Sequence, residues 1–396
     1  MPPLDGRKLW FAGVGGAGLS AYAVLSRAWG AEVAGWDRYE TPYLAYVRKA
    51  GIPVVVGEQP DAPDGFEAIV STAFAGRVAG RTRAELLSEL VALRDSIVVS
   101  GAHGKTTTTA MIAYVLRELG RDPAFLIGGE VPQLGGNAGT GEGTLVVEGD
   151  ESDRTIESLR PRVAVVLNIY LDHHSTFASR VEVEQLFDRW LAHVPEVVRG
   201  DELEPVEIEL AVPGAHNRLN AAAALAALER VGVTRSEAVA PLSEFRGVGR
   251  RLEVHDEPGG VTLVDDYAHN PAKVAAALAA VRERYPDARV LVLFQPHLYS
   301  RTRHLARELA AALARADAVA VTDVYPAREE PVPGVTGKLV VDAFAELRPG
   351  APLAWTPQVE EGAIFLARRA RPGDVVLTVG AGDVDRAIPL LEAELS

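Results

Sequence analysis

The sequence contains no cysteine among its 396 residues. This absence excludes disulfide bonds, thiolate metal sites and a thiol nucleophile. No apolar run reaches about 18 residues, the length that a helix needs to cross a bilayer. The N-terminal segment also has no apolar signal region followed by a cleavage site. We therefore expect a cytoplasmic protein without a membrane partner.

Positive charge is also scarce, because 40 basic residues stand against 54 acidic ones and the formal net charge is −14. A nucleic-acid partner is disfavoured, since binding to a phosphate backbone requires a basic face. An anionic ligand must instead be met by local groups, namely backbone N–H groups, single Lys or Arg side chains and metal ions. We therefore expect partners that are small molecules.

Short apolar strands alternate with helical segments along the chain, which is typical of α/β proteins with mostly parallel sheets. Near residue 95 a polar helix gives way to a new strand, and a further block of strands begins after Gly247. The pattern predicts three domains. They are a Rossmann-like N-terminal domain (1–95), a P-loop-type central ATPase domain (96–246) and a Rossmann-like C-terminal domain (247–396).

The segment SIVVSGAHGKTTTTAM has the features of a phosphate-binding loop: a β-branched strand, a glycine turn and the start of a helix. Glycines let backbone N–H groups approach a phosphate, and the helix N-terminus adds a favourable dipole. Lys105 could reach the β- and γ-phosphates of ATP, and the Thr106 hydroxyl could bind Mg²⁺. The alternative interpretation is a glycine turn that starts an ordinary helix.

Another glycine-rich loop follows the first strand and contains Gly13, Gly15, Gly16 and Gly18. It could bind a pyrophosphate at a helix N-terminus, with Asp37 at the end of the next strand contacting a ribose hydroxyl. Tight packing between strand and helix would explain the same glycines equally well. An NAD-dependent nucleotide-sugar oxidoreductase would use this loop, but it would not need a second phosphate loop ninety residues later.

Four carboxylates follow an apolar strand within six residues, namely Glu148, Asp150, Glu151 and Asp153. Glu148 ends the strand and is well placed to bind Mg²⁺ beside Thr106. The alternative is a solvated acidic turn, an interpretation with more weight for Glu151 than for Glu148. The loop after the next buried strand offers further candidates, Asn168, Asp172, His173 and His174.

The chain carries a series of segments in the order SGAHGKTTTTAM, VVEGDESD, NIYLDHH, VPGAHNRLNAAAA, FRGVGRRLE, VDDYAHNP, FQPHLYSRTR, VYPAREEPVPGVTG and VGAGD. This series resembles the Mur ligase family, from about residue 8 to about residue 385. The similarity is greatest to the branch that joins L-alanine to UDP-N-acetylmuramate. Only 43 residues (216 − 173) separate His173 from His216, so the central domain is expected to be shortened.

The resemblance implies an ATP-dependent, ADP-forming ligase of peptidoglycan precursor synthesis. It would join L-alanine to the carboxylate of UDP-N-acetylmuramate through an acyl phosphate, with Mg²⁺ as cofactor and ATP as co-substrate. The alternative is a recycling ligase that joins a whole peptide to UDP-N-acetylmuramate. Leu298 and Asn270 replace an arginine and a histidine that are usual in the family, near the expected amino-acid pocket. We expect a monomer or weak homodimer.

The resemblance also implies roles for individual residues. The UDP-sugar would be bound by Gly13, Gly15, Gly16, Gly18, Ser20 and Asp37. ATP would be bound by Gly101, His103, Gly104, Lys105, Thr106, Thr107, Asn217 and Arg251. The amino acid would be positioned by Tyr267, His269, His297 and Arg301. The metal ligands would be Thr106, Glu148 and His173, and the catalytic residues would be Lys105, His173, His269 and Arg301.

Overall fold

The computed structural model contains three β-sheets, each built from one consecutive part of the chain and accompanied by helices. The structure describes residues 2–58, 61–71, 73–171, 176–327 and 329–396. The predicted His173 lies outside these ranges. Each predicted domain (1–95, 96–246 and 247–396) contains one sheet, and the exact domain boundaries remain predictions.

The first sheet is parallel, with the strand order β3-β2-β1-β4-β5. Its strands are β1 (Lys8–Ala12), β2 (Glu32–Asp37), β3 (Val54–Val56), β4 (Glu67–Val70) and β5 (Arg81–Thr82), and its helices are α1 (Ala17–Ala28), α2 (Pro42–Lys49) and α3 (Arg83–Ala92). All but the first residue of β1 are buried, as expected for a strand covered on both faces. The start of α3 is fixed by a capping box between Thr82 and Glu85.

The second sheet has the order β11-β10-β6-β9-β7-β8 and is parallel except for the β7–β8 pair. Its strands are β6 (Ser96–Ser100), β7 (Ala124–Val131), β8 (Gly136–Thr140), β9 (Leu145–Glu148), β10 (Val163–Val166) and β11 (Glu196–Arg199). The helices are α4 (Lys105–Glu118), α5 (Arg180–Leu191), α6 (Ala215–Arg230) and α7 (Arg235–Ser243). The carboxyl ends of β6, β9 and β10 meet at one edge, where α/β proteins bind ligands.

The third sheet has the order β12-β13-β17-β14-β15-β16, with β12 antiparallel to β13. Its strands are β12 (Glu253–Val254), β13 (Thr262–Asp266), β14 (Val290–Phe294), β15 (Ala318–Val321), β16 (Leu353–Trp355) and β17 (Val375–Val379). The helices are α8 (Pro271–Arg284), α9 (Tyr299–Leu313), α10 (Lys338–Leu347), α11 (Val359–Ala367) and α12 (Ala387–Leu395). Alternate residues of β14 enter two different apolar clusters, which shows that both faces of this sheet are covered.

The chain separates into two compact units. One comprises Met1–Leu210 and Arg218–Phe245, and the other comprises Ala211–Asn217 and Arg246–Ser396. Within the first unit the two sheets share a buried core, since Leu19 and Val24 of α1 belong to the same apolar cluster as Val147 of β9. No helix among the described residues is long and apolar enough to span a membrane.

Candidate active site

The loop between β6 and α4 requires glycine at two positions. Gly101 has φ +133°, and a Cβ atom there would lie 2.9 Å from the carbonyl oxygen of Asn168. Gly104 has φ +86°, and a Cβ atom there would overlap the side chain of Asn220. Both positions therefore exclude other side chains on steric and conformational grounds. The resulting turn leads directly into the N-terminus of α4, the geometry that favours binding of an anion.

The same loop is tied to the end of β10. The His103 N–H donates to Asn168 Oδ1 at 3.0 Å, and Asn168 Nδ2 donates to the His103 carbonyl oxygen at 3.0 Å. The His103 ring stacks on Tyr170 with 5.6 Å between ring centroids. Thr107 is buried in the first turn of α4. The loop is thus held in shape by protein contacts alone, as a preorganised binding site requires.

Lys105, the predicted phosphate-binding residue, lies in an ion pair. Its Nζ donates to Gly101 O at 2.7 Å and to Glu151 Oε2 and Oε1 at 2.8 and 3.1 Å. Burial alone would lower the pKa of Lys105, but the negative charges of Glu151 and Asp150 outweigh it and the pKa is raised. The interpretation of Glu151 as a solvated turn residue is wrong, because its side chain is only 4% exposed and faces Lys105.

Thr106 and Glu148, the predicted metal ligands, are brought together. Thr106 Oγ1 donates to Glu148 Oε2 at 3.1 Å, and the Gly128 N–H donates to Glu148 Oε1 at 2.5 Å. A carboxylate and a hydroxyl are the hard oxygen ligands that Mg²⁺ prefers, so the pair fits this cation. Within the described ranges no group of three or more His, Asp or Glu could hold a metal. The third predicted ligand, His173, lies outside those ranges.

The metal assignment predicts different behaviour for two neighbouring carboxylates. Glu148→Gln should raise the Mg²⁺ concentration needed for half-maximal activity about tenfold or more, because one anionic ligand is lost. Glu151→Gln should leave that concentration nearly unchanged, because Glu151 bonds Lys105, whereas Thr106 bonds Glu148. Titration of activity against Mg²⁺ tests both variants. A larger shift for Glu151→Gln would show that the two carboxylates have been assigned the wrong way round.

The first glycine loop lies at the carboxyl ends of β1 and β2. Gly13 has φ +87°, and a Cβ atom there would meet Phe74 at 2.7 Å. The Gly15 N–H donates to Asp37 Oδ2 at 2.7 Å. Two further predicted UDP-binding residues open α1, where Gly16 is the exposed N-cap and Ser20 is buried. Together these contacts build a tight turn that leads into a helix N-terminus, which suits a pyrophosphate.

Asp37 shapes this loop as well as facing the edge of the sheet. The residue is only 8% exposed and its carboxylate accepts the Gly15 N–H, while Thr41 Oγ1 donates to Gly15 O at 2.8 Å. Its contact with a ribose remains a prediction. A basic residue that the sequence patterns did not indicate also lies here. Arg83 Nη1 is 3.3 Å from the position that a Cβ atom of Gly18 would take. Arg83 therefore brings positive charge to a loop that has none of its own.

In the second unit, the predicted amino-acid-binding residues form one cluster. The His269 ring lies 5.7 Å from that of Tyr267 and 5.6 Å from that of His297, measured between ring centroids. Arg301 Nη1 lies 3.0 Å from His297 Nδ1. His269 Nδ1 lies 2.9 Å from Tyr267 O, so it carries a proton and donates to that carbonyl oxygen. These side chains follow the carboxyl ends of β13 and β14.

Both histidines of the cluster are neutral near pH 7. Burial, followed by the charge of Arg301, lowers the pKa of His297 to about 4. Burial, followed by the charges of Lys273 and Arg301, lowers the pKa of His269 well below its usual value. The cluster thus offers neutral imidazoles beside cationic side chains, which suits a carboxylate ligand.

The low pKa of His297 predicts a pH dependence of stability. An unfolded histidine titrates near 6.5, about two units above His297, so the unfolded chain binds more protons between pH 4 and pH 6.5. The free energy of unfolding should therefore fall as the pH drops through this window. His297→Gln should flatten this part of the curve, whereas a change of the exposed His304 on the following helix, His304→Gln, should not. Denaturant unfolding at several pH values measures the slope, and an unchanged slope in His297→Gln would contradict the assignment.

The two remaining predicted ATP-binding residues also belong to the second unit. Asn217 is buried in the first turn of α6, where its Nδ2 donates to Pro213 O at 2.7 Å. The Arg251 guanidinium lies 5.1 Å from the centre of the Tyr267 ring. Burial raises the pKa of Asp266 to about 6, and the Arg251 charge opposes this shift. The roles of both residues toward ATP remain predictions.

Sequence patterns missed three residues of the second unit. Lys273 Nζ lies 3.5 Å from His269 Nε2, and the Tyr325 ring stacks on His297 with centroids 6.0 Å apart. Arg250 donates to the carbonyl oxygens of Gly380 and Gly382 at 2.9 Å each. Arg250 therefore fixes the VGAGD loop. The one feature of the sequence that could have indicated this role is its position next to Arg251.

The topology and the loop after β6, with a lysine, a threonine and two carboxylates beside it, define a nucleotide-binding α/β protein of the P-loop type. Comparison with known proteins narrows this class. Residues 99–198 match the family described as Mur ligase middle domain, and residues 250–382 match Mur ligase, glutamate ligase domain. The chain belongs to the Mur ligase family, whose members are ATP-dependent ligases.

Individual relatives are similar over the whole chain. UDP-N-acetylmuramate–L-alanine ligase of Streptomyces coelicolor is 38% identical, over 98% of this chain and 97% of the relative. The protein of the same name from Rubrobacter xylanophilus is 39% identical, over 98% of this chain and 100% of the relative. The crystal structure of UDP-N-acetylmuramate-alanine ligase MurC from Thermotoga maritima superimposes with a TM-score of 0.80 at 27% identity, over 97% of this chain and 98% of that one. The predicted family and its three-domain α/β fold are confirmed.

Proposed function

We propose that this ligase joins L-alanine to the carboxylate of UDP-N-acetylmuramate, with conversion of ATP to ADP and phosphate. The observation that carries the proposal is the loop after β6 that leads into α4, where Lys105 bonds Glu151 and Thr106 bonds Glu148. The names of relatives at 38% and 39% identity, aligned along the whole chain, support this choice of substrates. The reaction belongs to peptidoglycan precursor synthesis in the cytoplasm, carried out by a monomer or weak homodimer.

The loop residues act on ATP. Backbone N–H groups at the start of α4 and the Lys105 ammonium would bind the phosphates and offset the charge that develops during phosphoryl transfer. Glu148 and Thr106, with His173, would hold Mg²⁺, which supplies further charge neutralisation at the transferring phosphoryl group. The carboxylate substrate is a poor electrophile, and its acyl phosphate has a good leaving group, so the amine can then displace phosphate.

The cluster around His269 and His297 acts on the amino acid. Arg301 would bind its carboxylate, and the Tyr267 and His297 rings would limit the space for its side chain. The amine must lose a proton to attack the acyl phosphate. Burial and the neighbouring cations lower the pKa values of His269 and His297, so both imidazoles are neutral at physiological pH and are weak bases. We therefore assign them to binding the amino acid and leave the proton to solvent.

The first glycine loop acts on the UDP of the nucleotide sugar. Gly15→Val would drive a side chain against Asp37 Oδ2, which lies 2.9 Å from the Cβ position, and Asp37→Ala would release the Gly15 N–H. Each change should raise the apparent KM for UDP-N-acetylmuramate about tenfold or more, with little change in the KM for ATP. The exposed Asp64→Ala is the matched control. An equal rise for ATP, or tight NADH binding by the unaltered protein, would contradict the assignment of this loop.

The substrate assignment is tested by phosphate release from ATP with UDP-N-acetylmuramate and a single acceptor. We expect release with L-alanine and none without an acceptor. The tripeptide L-alanyl-γ-D-glutamyl-meso-diaminopimelate is the decisive comparison, because a recycling ligase would prefer it. Preference for the tripeptide would overturn the choice of acceptor while leaving the reaction class intact, whereas no release with any acceptor would overturn both.

A further inference from the structure

Two carboxylates, one at the end of β9 and one in the turn after it, bond the adjacent residues that open α4. Glu148 accepts from Thr106 at 3.1 Å, and Glu151 accepts from Lys105 at 2.8 and 3.1 Å. Asp153 in the same turn is exposed and accepts only the Thr155 N–H, at 3.0 Å, among the contacts described. Glu148 at the end of β9 therefore faces Thr106, while in the turn after it Glu151 faces Lys105 and Asp153 faces solvent.

The Lys105 ammonium is held from two sides. One N–H donates to Gly101 O at 2.7 Å, at the start of the loop, and the others face Glu151. A lysine side chain has four rotatable bonds and normally loses considerable rotamer entropy when it is fixed. Because Glu151 is buried, it fixes the ammonium over the loop before any nucleotide binds. Preorganisation of this kind is favourable for catalysis, since no further ordering is needed during the reaction.

Glu151 also compensates the charge of the lysine. The Lys105 side chain is 19% exposed and that of Glu151 is 4% exposed, so neither charge is well solvated. An ammonium in such surroundings requires a nearby anion to remain protonated. Glu151 is the carboxylate that bonds the ammonium directly, through both of its oxygens.

We propose that Glu151 is a positioning residue for phosphoryl transfer, which acts through Lys105 and does not bind the metal. When ATP binds, a phosphate oxygen takes over the longer of the two contacts, and the other Glu151 oxygen keeps the ammonium aimed at the phosphates. The inference rests on the proposed function in one respect, namely that ATP occupies this loop. It assigns separate tasks to the two glutamates of the VVEGDESD segment.

The test uses the full chain with Glu151→Gln and Glu151→Asp, and Asp153→Asn as the control carboxylate of the same turn. Calorimetric titration with Mg–ATP, without the other substrates, measures binding, and ligation assays measure kcat and KM for ATP. Glu151→Gln should lower kcat/KM for ATP about 10- to 100-fold, the range for loss of one charged hydrogen bond, and should weaken ATP binding. Glu151→Asp should recover part of the loss, and Asp153→Asn should behave like the unaltered protein. The Mg²⁺ requirement should remain unchanged in all three variants.

Three results would overturn the inference. One is unchanged ATP binding and kcat/KM in Glu151→Gln; another is tighter ATP binding, which would make Glu151 a competitor of phosphate. The third is a shift in the Mg²⁺ requirement as large as that in Glu148→Gln, which would make Glu151 a metal ligand. If Glu151→Gln does not fold, Glu151→Asp decides by the same criteria. The binding titration needs no ligation, so an error in the proposed substrates is distinguishable from an error in this assignment.

Discussion

Lys105→Ala should abolish ligation while the chain remains folded. Removal of the ammonium takes away a positive charge at the transferring phosphoryl group, and loss of one such stabilising group costs about 100- to 1,000-fold in kcat or more. Within the described part of the chain, the hydrogen bonds of the Lys105 Nζ go to Gly101 O and Glu151, which are polar partners at the loop, so we expect the fold to survive its removal. Turnover measured beside a thermal melting curve separates the two effects.

The control for this prediction concerns Glu151, the ion-pair partner of Lys105. In Lys105→Ala the buried Glu151 loses its ion-pair partner, which can cost about 3 kcal/mol of stability. The double variant Lys105→Ala with Glu151→Gln removes that buried charge and should recover melting temperature without recovering activity. Near-normal turnover in Lys105→Ala would contradict the assignment of this loop to ATP.

Arg301→Ala should raise the KM for the amino acid by about 10- to 100-fold, because a charge-assisted bond to a carboxylate contributes about 1.5–3 kcal/mol. Arg301 Nη1 lies 3.0 Å from His297 Nδ1, in the cluster that also contains His269. The KM for ATP should change much less. Steady-state kinetics with varied L-alanine at saturating ATP and nucleotide sugar measure the effect.

Arg303→Ala is the matched control, since Arg303 lies on the same helix but is exposed. It should leave all kinetic parameters near those of the unaltered protein. If Arg301→Ala and Arg303→Ala give the same KM for L-alanine, the cluster does not bind the amino acid. The C-terminal domain would then need a different assignment.

The parts of the site that sequence predicted well are those determined by local backbone chemistry. The loop after β6 needs glycine at positive φ and a helix that starts at Lys105, and a short continuous sequence motif indicates both requirements. Thr106 and Glu148 could likewise be paired, because Thr106 follows the loop after β6 and Glu148 ends β9. The two strands are parallel neighbours, so their carboxyl ends meet at one edge. The three-domain α/β fold was predictable for the same reason, since it follows from alternating strands and helices.

Contacts set by tertiary structure were not predictable. Glu151 appeared to be a surface residue, but a turn in which Asp150 Oδ1 accepts the Ser152 N–H redirects the chain and buries it against Lys105. The β7–β8 hairpin was missed because glycines in both strands hide the alternation of apolar residues. Arg250 adopts φ +57°, a conformation that its sequence neighbours do not indicate.

The central claim is that ATP activates the carboxylate of the nucleotide sugar as an acyl phosphate. The most direct measurement uses UDP-N-acetylmuramate labelled with ¹⁸O in its lactyl carboxylate, together with ATP, Mg²⁺ and L-alanine. Attack of the carboxylate on the γ-phosphate and later release of phosphate transfer one carboxylate oxygen to the phosphate. The account predicts inorganic phosphate that carries one ¹⁸O atom for each amide formed, detected by mass spectrometry. Amide formation with unlabelled phosphate would contradict it.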